Sequence, residues 1–102
     1  MLNYVLFTGV DSVTRHLAGV DFVTKHRAAL IQRVSNVEPI LDYLLDLRVI
    51  QHEEYNNVRA KGTDQAKMRD LMYLLDRRGN PVKHIFYKGL ETNEPYLLID
   101  MT

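Results

Sequence analysis

The chain has 102 residues, 46% hydrophobic and 25% charged, and its 13 basic and 13 acidic side chains cancel to a formal net charge of zero. That is one small domain with a single core, and the neutral total argues against binding nucleic acid or a membrane surface through bulk charge. The absence of cysteine excludes disulfides, thiolate catalysis and cysteine metal sites, and fits a reducing, cytoplasmic setting.

Residues 1–19 read as a leader or linker ahead of the domain proper, with a remnant of an upstream domain or a short extra helix as the alternatives. LNYVLF is apolar and β-prone, and Gly9 and Gly19 interrupt the residues after it. This start lacks the basic head and long apolar core of a secretory signal. Asp11–Leu17 has helical character but is too short to be stable alone. Residues 1–18 are therefore expected to be dispensable for folding.

The first helix is predicted over Asp21–Val34, burying Phe22, Leu30 and Val34. Asp21 sits where it can cap the start. Ser35-Asn36 breaks this helix, and Ser35 and Glu38 have capping-box spacing for the next one. Pro39 falls in the first turn of helix 2, which runs to Leu47. Its apolar residues Val37, Ile40, Leu41, Leu44 and Leu45 form the i, i+3, i+4, i+7, i+8 stripe of one buried face. Helix 3, His52–Ala60, turns Tyr55 and Val58 inward. Lys61-Gly62-Thr63-Asp64 reads as a glycine stop followed by a Thr or Asp restart. Helix 4, Asp64–Arg77, buries Met68, Leu71, Met72 and Leu75, and Gly79 ends it. Asn80-Pro81 starts helix 5, with Val82, Ile85, Phe86 and Leu90 facing in. Thr92 or Asn93 caps helix 6, where Leu97, Leu98 and Met101 close the core. Period-two alternation appears nowhere after the leader. The fold class is all-α, a compact antiparallel helix bundle.

The neutral total hides segregated charge. Asp21–Val34 carries three basic and one acidic residue, Val37–Tyr55 one basic and five acidic, Asn56–Lys88 eight basic and three acidic, and Gly89–Thr102 three acidic and no basic. Lys25, Arg27 and Arg33 make helix 1 basic. Glu38, Asp42 and Asp46 recur every four residues on the solvated face of helix 2. Such blocks create fields of opposite sign on one molecule. They read as docking surfaces that satisfy each other between copies and not within one.

Chemistry finds little footing in these residues. The histidines at 16, 26, 52 and 84 lack the i, i+4 spacing of a helical zinc site, and His26 reads as packing at the edge of helix 1. The carboxylate pairs Asp42/Asp46 and Glu53/Glu54 sit on exposed helix faces without an acid–base partner. Ser12 and Ser35 are the only serines. No glycine-rich phosphate loop is present. The expectation is no enzyme, no metal and no cofactor.

HRAALIQRVSNVEPILDYL resembles helices 1 and 2 of a caspase recruitment domain (CARD), and KMRDL and EPYLLIDM match the same domain further on. The resemblance covers Val20–Thr102. It is nearest to the CARDs of the inflammasome adaptor and of the NOD-like receptor that carries a FIIND module. It implies the six-helix Greek-key bundle of the death-domain superfamily. In that family the arginines of helix 1 and helix 4 belong to a basic interface patch, and Arg27 and Arg69 match them, with Lys25 alongside. Glu38 and Asp42 match the acidic patch on helix 2 that receives it. Tyr96 matches an aromatic of helix 6 in another assembly contact, though its own context equally suits a half-buried core tyrosine. Pro39 stands where the adaptor pattern has a bulky aromatic, so a hydrophobic contact at that corner does not carry over. The resemblance implies homotypic CARD–CARD assembly into filaments that recruit an adaptor or an inflammatory caspase in innate immune signalling. A CARD-only decoy that caps such assemblies is the alternative. A helical nucleic-acid-binding domain using Lys67, Arg69, Arg77, Arg78 and Lys83 is the alternative from another class.

Overall fold

A computed structural model describes residues 18–102. The LNYVLF stretch, the segment Asp11–Leu17, Ser12 and His16 lie outside the described residues. The described chain is all helical, with no strand among its residues. Residues 18–25 belong to α1. They are followed by α2 (Arg27–Arg33), α3 (Glu38–Asp46), α4 (His52–Arg59), α5 (Asp64–Arg78), α6 (Asn80–Asn93) and α7 (Pro95–Met101).

The predicted first helix is thus two pieces that begin earlier than Asp21. His26 leaves the helical region, with φ −103° and ψ 21°, although its N–H still reaches Phe22 O at 2.9 Å. The chain bends there without unravelling, and the His26 ring lies 4.5 Å from that of Phe22. Gly19, which reads as an interruption, sits buried within α1. A Cβ at that position would lie 2.9 Å from Tyr87 Cδ2, so glycine is what lets the ring approach.

Helix α2 packs on α5, α3 on α4 and α6, α5 on α4 and α6, and α6 on α7. The stripes read from the sequence close one core of Leu30, Val34, Val37, Ile40, Leu41, Leu44, Val58, Met68, Leu71, Met72, Leu75, Phe86, Leu90 and Leu98, joined by Val23, Ile31 and Ile50. Phe22, Leu45, Tyr55, Val82, Ile85, Leu97 and Met101, expected inside, lie at its half-buried margin. Val23 and Ile31 go inside and Phe22 moves to the margin, because Val23, Leu30, Ile31 and Val34 keep the i, i+7, i+8, i+11 spacing of one helical face.

Several helix ends differ from their sequence signals. Ser35 caps nothing: residues 34–37 are non-helical, and Val37 takes the N-cap of α3 without a side-chain bond. The capping box forms instead at α4, where Gln51 and Glu54 exchange bonds. Burial pushes the Glu54 carboxyl up, but the Gln51 N–H and the Arg78 guanidinium outweigh it and hold the group below its ordinary value. Gly62 is not left-handed; α4 ends on Ala60, which stays in the right-handed region. Asn80 lies inside α6 and Gly79 caps it. Thr92 and Asn93 close α6 by bonding the carbonyls of Lys88 and Gly89, rather than starting α7. The turn between α3 and α4 passes through Arg48 at φ 60°, a left-handed conformation without glycine.

Thr63 does act as an N-cap, its Oγ1 accepting the Ala66 N–H at 3.0 Å. Replacing it with alanine removes that acceptor. Thr63→Ala is expected to lower stability by about 0.5–2 kcal/mol, read as a lower urea midpoint at unchanged slope.

Candidate protein-interaction surfaces

Arg27 opens α2 and Arg69 lies in the second turn of α5, 42 positions later in the sequence. Because α2 packs along α5, both side chains reach one shallow concavity, lined also by Lys61, Ala66, Asp70 and Tyr73. Its volume is about 350 Å³. Arg69 and Lys61 have no ion-pair partner among the described residues. Tyr73 is 59% exposed at the rim, with the Arg77 guanidinium 5.9 Å from its ring centre. Lys25 is exposed on α1 and does not line this concavity.

The acidic residues lie elsewhere. Lys67 is two positions from Arg69, about 200° around the helix, and so faces away from the concavity. It reaches Glu38 Oε1 at 3.3 Å, while Arg59 Nε meets Glu38 Oε2 at 2.8 Å. One turn along α3, Asp42 accepts the Tyr55 O–H at 2.5 Å. That bond, and then partial desolvation, raises the Tyr55 phenol above its usual pKa. Asp42 and Asp46 remain exposed.

Contrary to the expectation from the charge blocks, the charged residues do find partners within one copy. Arg27 Nε donates to Asp76 Oδ2 at 3.1 Å, and Glu38 is held by two cations. Among the described residues, the patch groups without an ion-pair partner are Lys25, Lys61 and Arg69 on the basic side and Asp42 and Asp46 on the acidic side, and Arg27 keeps its terminal nitrogens unbonded. Exposed ion pairs of this kind are worth about 0–1 kcal/mol each.

The cations of the nucleic-acid alternative are dispersed and mostly engaged. Lys67 is held by Glu38, Arg78 by Glu54 and Val49 O, Lys83 by Asp76, and Arg77 lies over Tyr73.

Tyr96 is 85% exposed, so it is not a core tyrosine, and Ile99, one turn on, is 70% exposed. They share the outer face of α7. On the same side, α7 is tied to α2 by an Arg33–Asp100 ion pair, while Leu98 faces the core. Among the described residues no helix is long and apolar enough to cross a membrane.

Lys61, Tyr73 and Asp76 are not picked out by the sequence pattern that selects Arg27 and Arg69. Tyr73 had a signal: Arg69, Tyr73 and Arg77 recur every four residues, which places them on one face of α5. Asp76, at i+7 from Arg69, shares that face, whereas Lys61 had no such signal, since only the packing of α5 on its neighbours brings it to Arg27.

Residues 20–102 match the family model of the caspase recruitment domain. Over 76 residues, 74% of this chain, it is 41% identical to NACHT, LRR and PYD domains-containing protein 1b allele 3 of Mus musculus. Over 77 residues it is 40% identical to apoptosis-associated speck-like protein containing a CARD of Danio rerio. The matched part is 6% of the mouse protein and 38% of the fish protein, so this chain spans a minor part of their length. The family match runs the length of the helical bundle, from α1 to the end of α7, and the chain belongs to the caspase recruitment domain family.

Proposed function

We propose that the chain is a homotypic interaction module that assembles head to tail into open helical filaments and recruits the CARD of an adaptor or inflammatory caspase in the cytoplasm. The packing of α2 on α5, and of α3 on α4 and α6, is consistent with the six-helix Greek-key arrangement of the death-domain superfamily, with α1 and α2 as a divided first helix. The observation that carries the reading is the convergence of Arg27, Arg69 and Lys61 on one open concavity while Asp42 and Asp46 stay exposed on α3. A patch on one face that fits a different patch on the next copy makes a heterologous contact, and when the rotation does not close into a ring the product is a filament. Lys25 and Glu38 flank the two patches, and Tyr96 supplies a separate apolar contact.

Charge reversal tests the pairing. Arg27→Glu alone and Asp42→Lys alone are each expected to abolish filament growth in light scattering and negative-stain images, with the monomer still folded. Mixing the two variants restores association in part, because each keeps one original patch and carries one altered patch that fits the other. Raising salt weakens the wild-type assembly. Filaments from Arg27→Glu as abundant as wild type would return Arg27 to an ordinary solvated face. A chain that forms no filament itself but stops growth of another CARD would be the capping decoy instead.

A further inference from the structure

Arg27 does not stand alone at the edge of the concavity. Its Nε donates to Asp76 Oδ2 at 3.1 Å, and the other Asp76 oxygen meets Lys83 Nζ at 3.3 Å. Lys83 is only 14% exposed and donates in turn to Thr24 Oγ1 at 3.5 Å. The chain Thr24, Lys83, Asp76, Arg27 ties together α1, α6, α5 and α2. Two features decide what it does. The Arg27 bond uses Nε alone, so both terminal nitrogens, with four N–H donors, have no acceptor among the described residues. The Asp76 charge is answered by Lys83, so the local sum over Arg27, Asp76 and Lys83 stays at one positive charge.

We propose that Asp76 is a positioning residue: it grips Arg27 by Nε and aims its free terminal nitrogens into the concavity, ready for a carboxylate of a second copy. The proposal rests on the assembly contact described above and deepens it. A free arginine side chain must lose rotamer freedom to make a forked pair with a carboxylate. Here that loss is already taken in the monomer, and Lys83 keeps Asp76 from cancelling the attraction.

The opposite role, Asp76 as a competitor that holds Arg27 back, predicts the opposite sign. The test is the concentration at which the purified chain begins to assemble, for wild type, Asp76→Ala, Asp76→Asn, Arg27→Ala and the double variant Asp76→Ala/Arg27→Ala. Thermal melts of the monomers run in parallel. Losing the preset rotamer raises the threshold for Asp76→Ala about three- to tenfold. Asp76→Asn keeps the shape and an acceptor oxygen and stays nearer to wild type. The double variant assembles no worse than Arg27→Ala, because Asp76 acts only through Arg27. A lower threshold for Asp76→Ala overturns the proposal in favour of competition. Additive losses in the double variant, or a loss that simply follows the melting temperature, overturn it in favour of a structural role. If Arg27→Ala itself assembles like wild type, the contact has been misassigned and both readings fall. If Arg27→Ala is impaired and Asp76→Ala is not, only the positioning role falls.

Discussion

Truncating Leu44 to alanine is expected to lower the unfolding free energy by about 2–5 kcal/mol. Leu44 lies on the inner stripe of α3 and is fully buried. It belongs to the single core cluster that joins α3 to α5 and α6. Removing its three outer carbons loses their transfer energy and leaves a cavity that the surrounding helices fill only in part. A domain of this size is stable by about 5–15 kcal/mol in all, so the loss takes a large share. The melting temperature should fall by roughly 8 °C or more. Differential scanning calorimetry or urea unfolding reads the change directly, and an unchanged midpoint would remove Leu44 from the core.

Overfilling Gly89 should hurt for the reverse reason. Gly89 is buried where α6 crosses α3, and a Cβ there would lie 3.1 Å from Tyr43 Cδ2 and 3.8 Å from Ile40 Cγ2. Tyr43 is only half-buried and can give a few tenths of an ångström. Gly89→Ala is therefore expected to be near neutral, the crowding offset by the better helix propensity of alanine. Gly89→Val adds two further methyl groups in the same space. It is expected to destabilise by about 1–3 kcal/mol, the usual consequence of overpacking. The pair of melts is the test, and a valine variant as stable as wild type would show that α3 and α6 are not in close contact at this point.

Of the helices, α3 and α5 were the most legible in the sequence. Their stripes are long enough for a period of 3.6 to stand out, and nearly every residue in them is buried. Helix ends were harder, for a local reason. Ser35 and Glu38 have the right spacing for a capping box, yet residues 34–37 stay out of the helix and put Val37 at the cap. The box that forms uses Gln51, a residue outside the usual set of caps. The bend at His26 and the left-handed Arg48 carry no glycine, proline or asparagine to announce them.

The candidate interface divides in the same way. Charge blocks along the chain showed that opposite signs were present, and the family resemblance selected Arg27, Arg69, Glu38 and Asp42 from them. Which charges remain open depends on contacts across 29 to 49 positions of sequence, such as Lys67 with Glu38 and Arg27 with Asp76. No local spacing encodes those. The patches acquire partners within one copy for that reason, and Tyr96 resolved from two readings to an exposed one only once α7 was placed.

Gly79 is at once the last cap of α5 and the first of α6, at φ 93° and ψ −171°, a backbone state that a side chain strongly disfavours. No slack chain therefore separates a 15-residue helix from a 14-residue one. The Asp76–Lys83 pair spans this elbow, three residues before it and four after. Hinge and brace together make α5 and α6 a single lever. Under the proposed contact, a load on Arg27 would pass through Asp76 and Lys83 to α6, since no loop between α5 and α6 is there to absorb it.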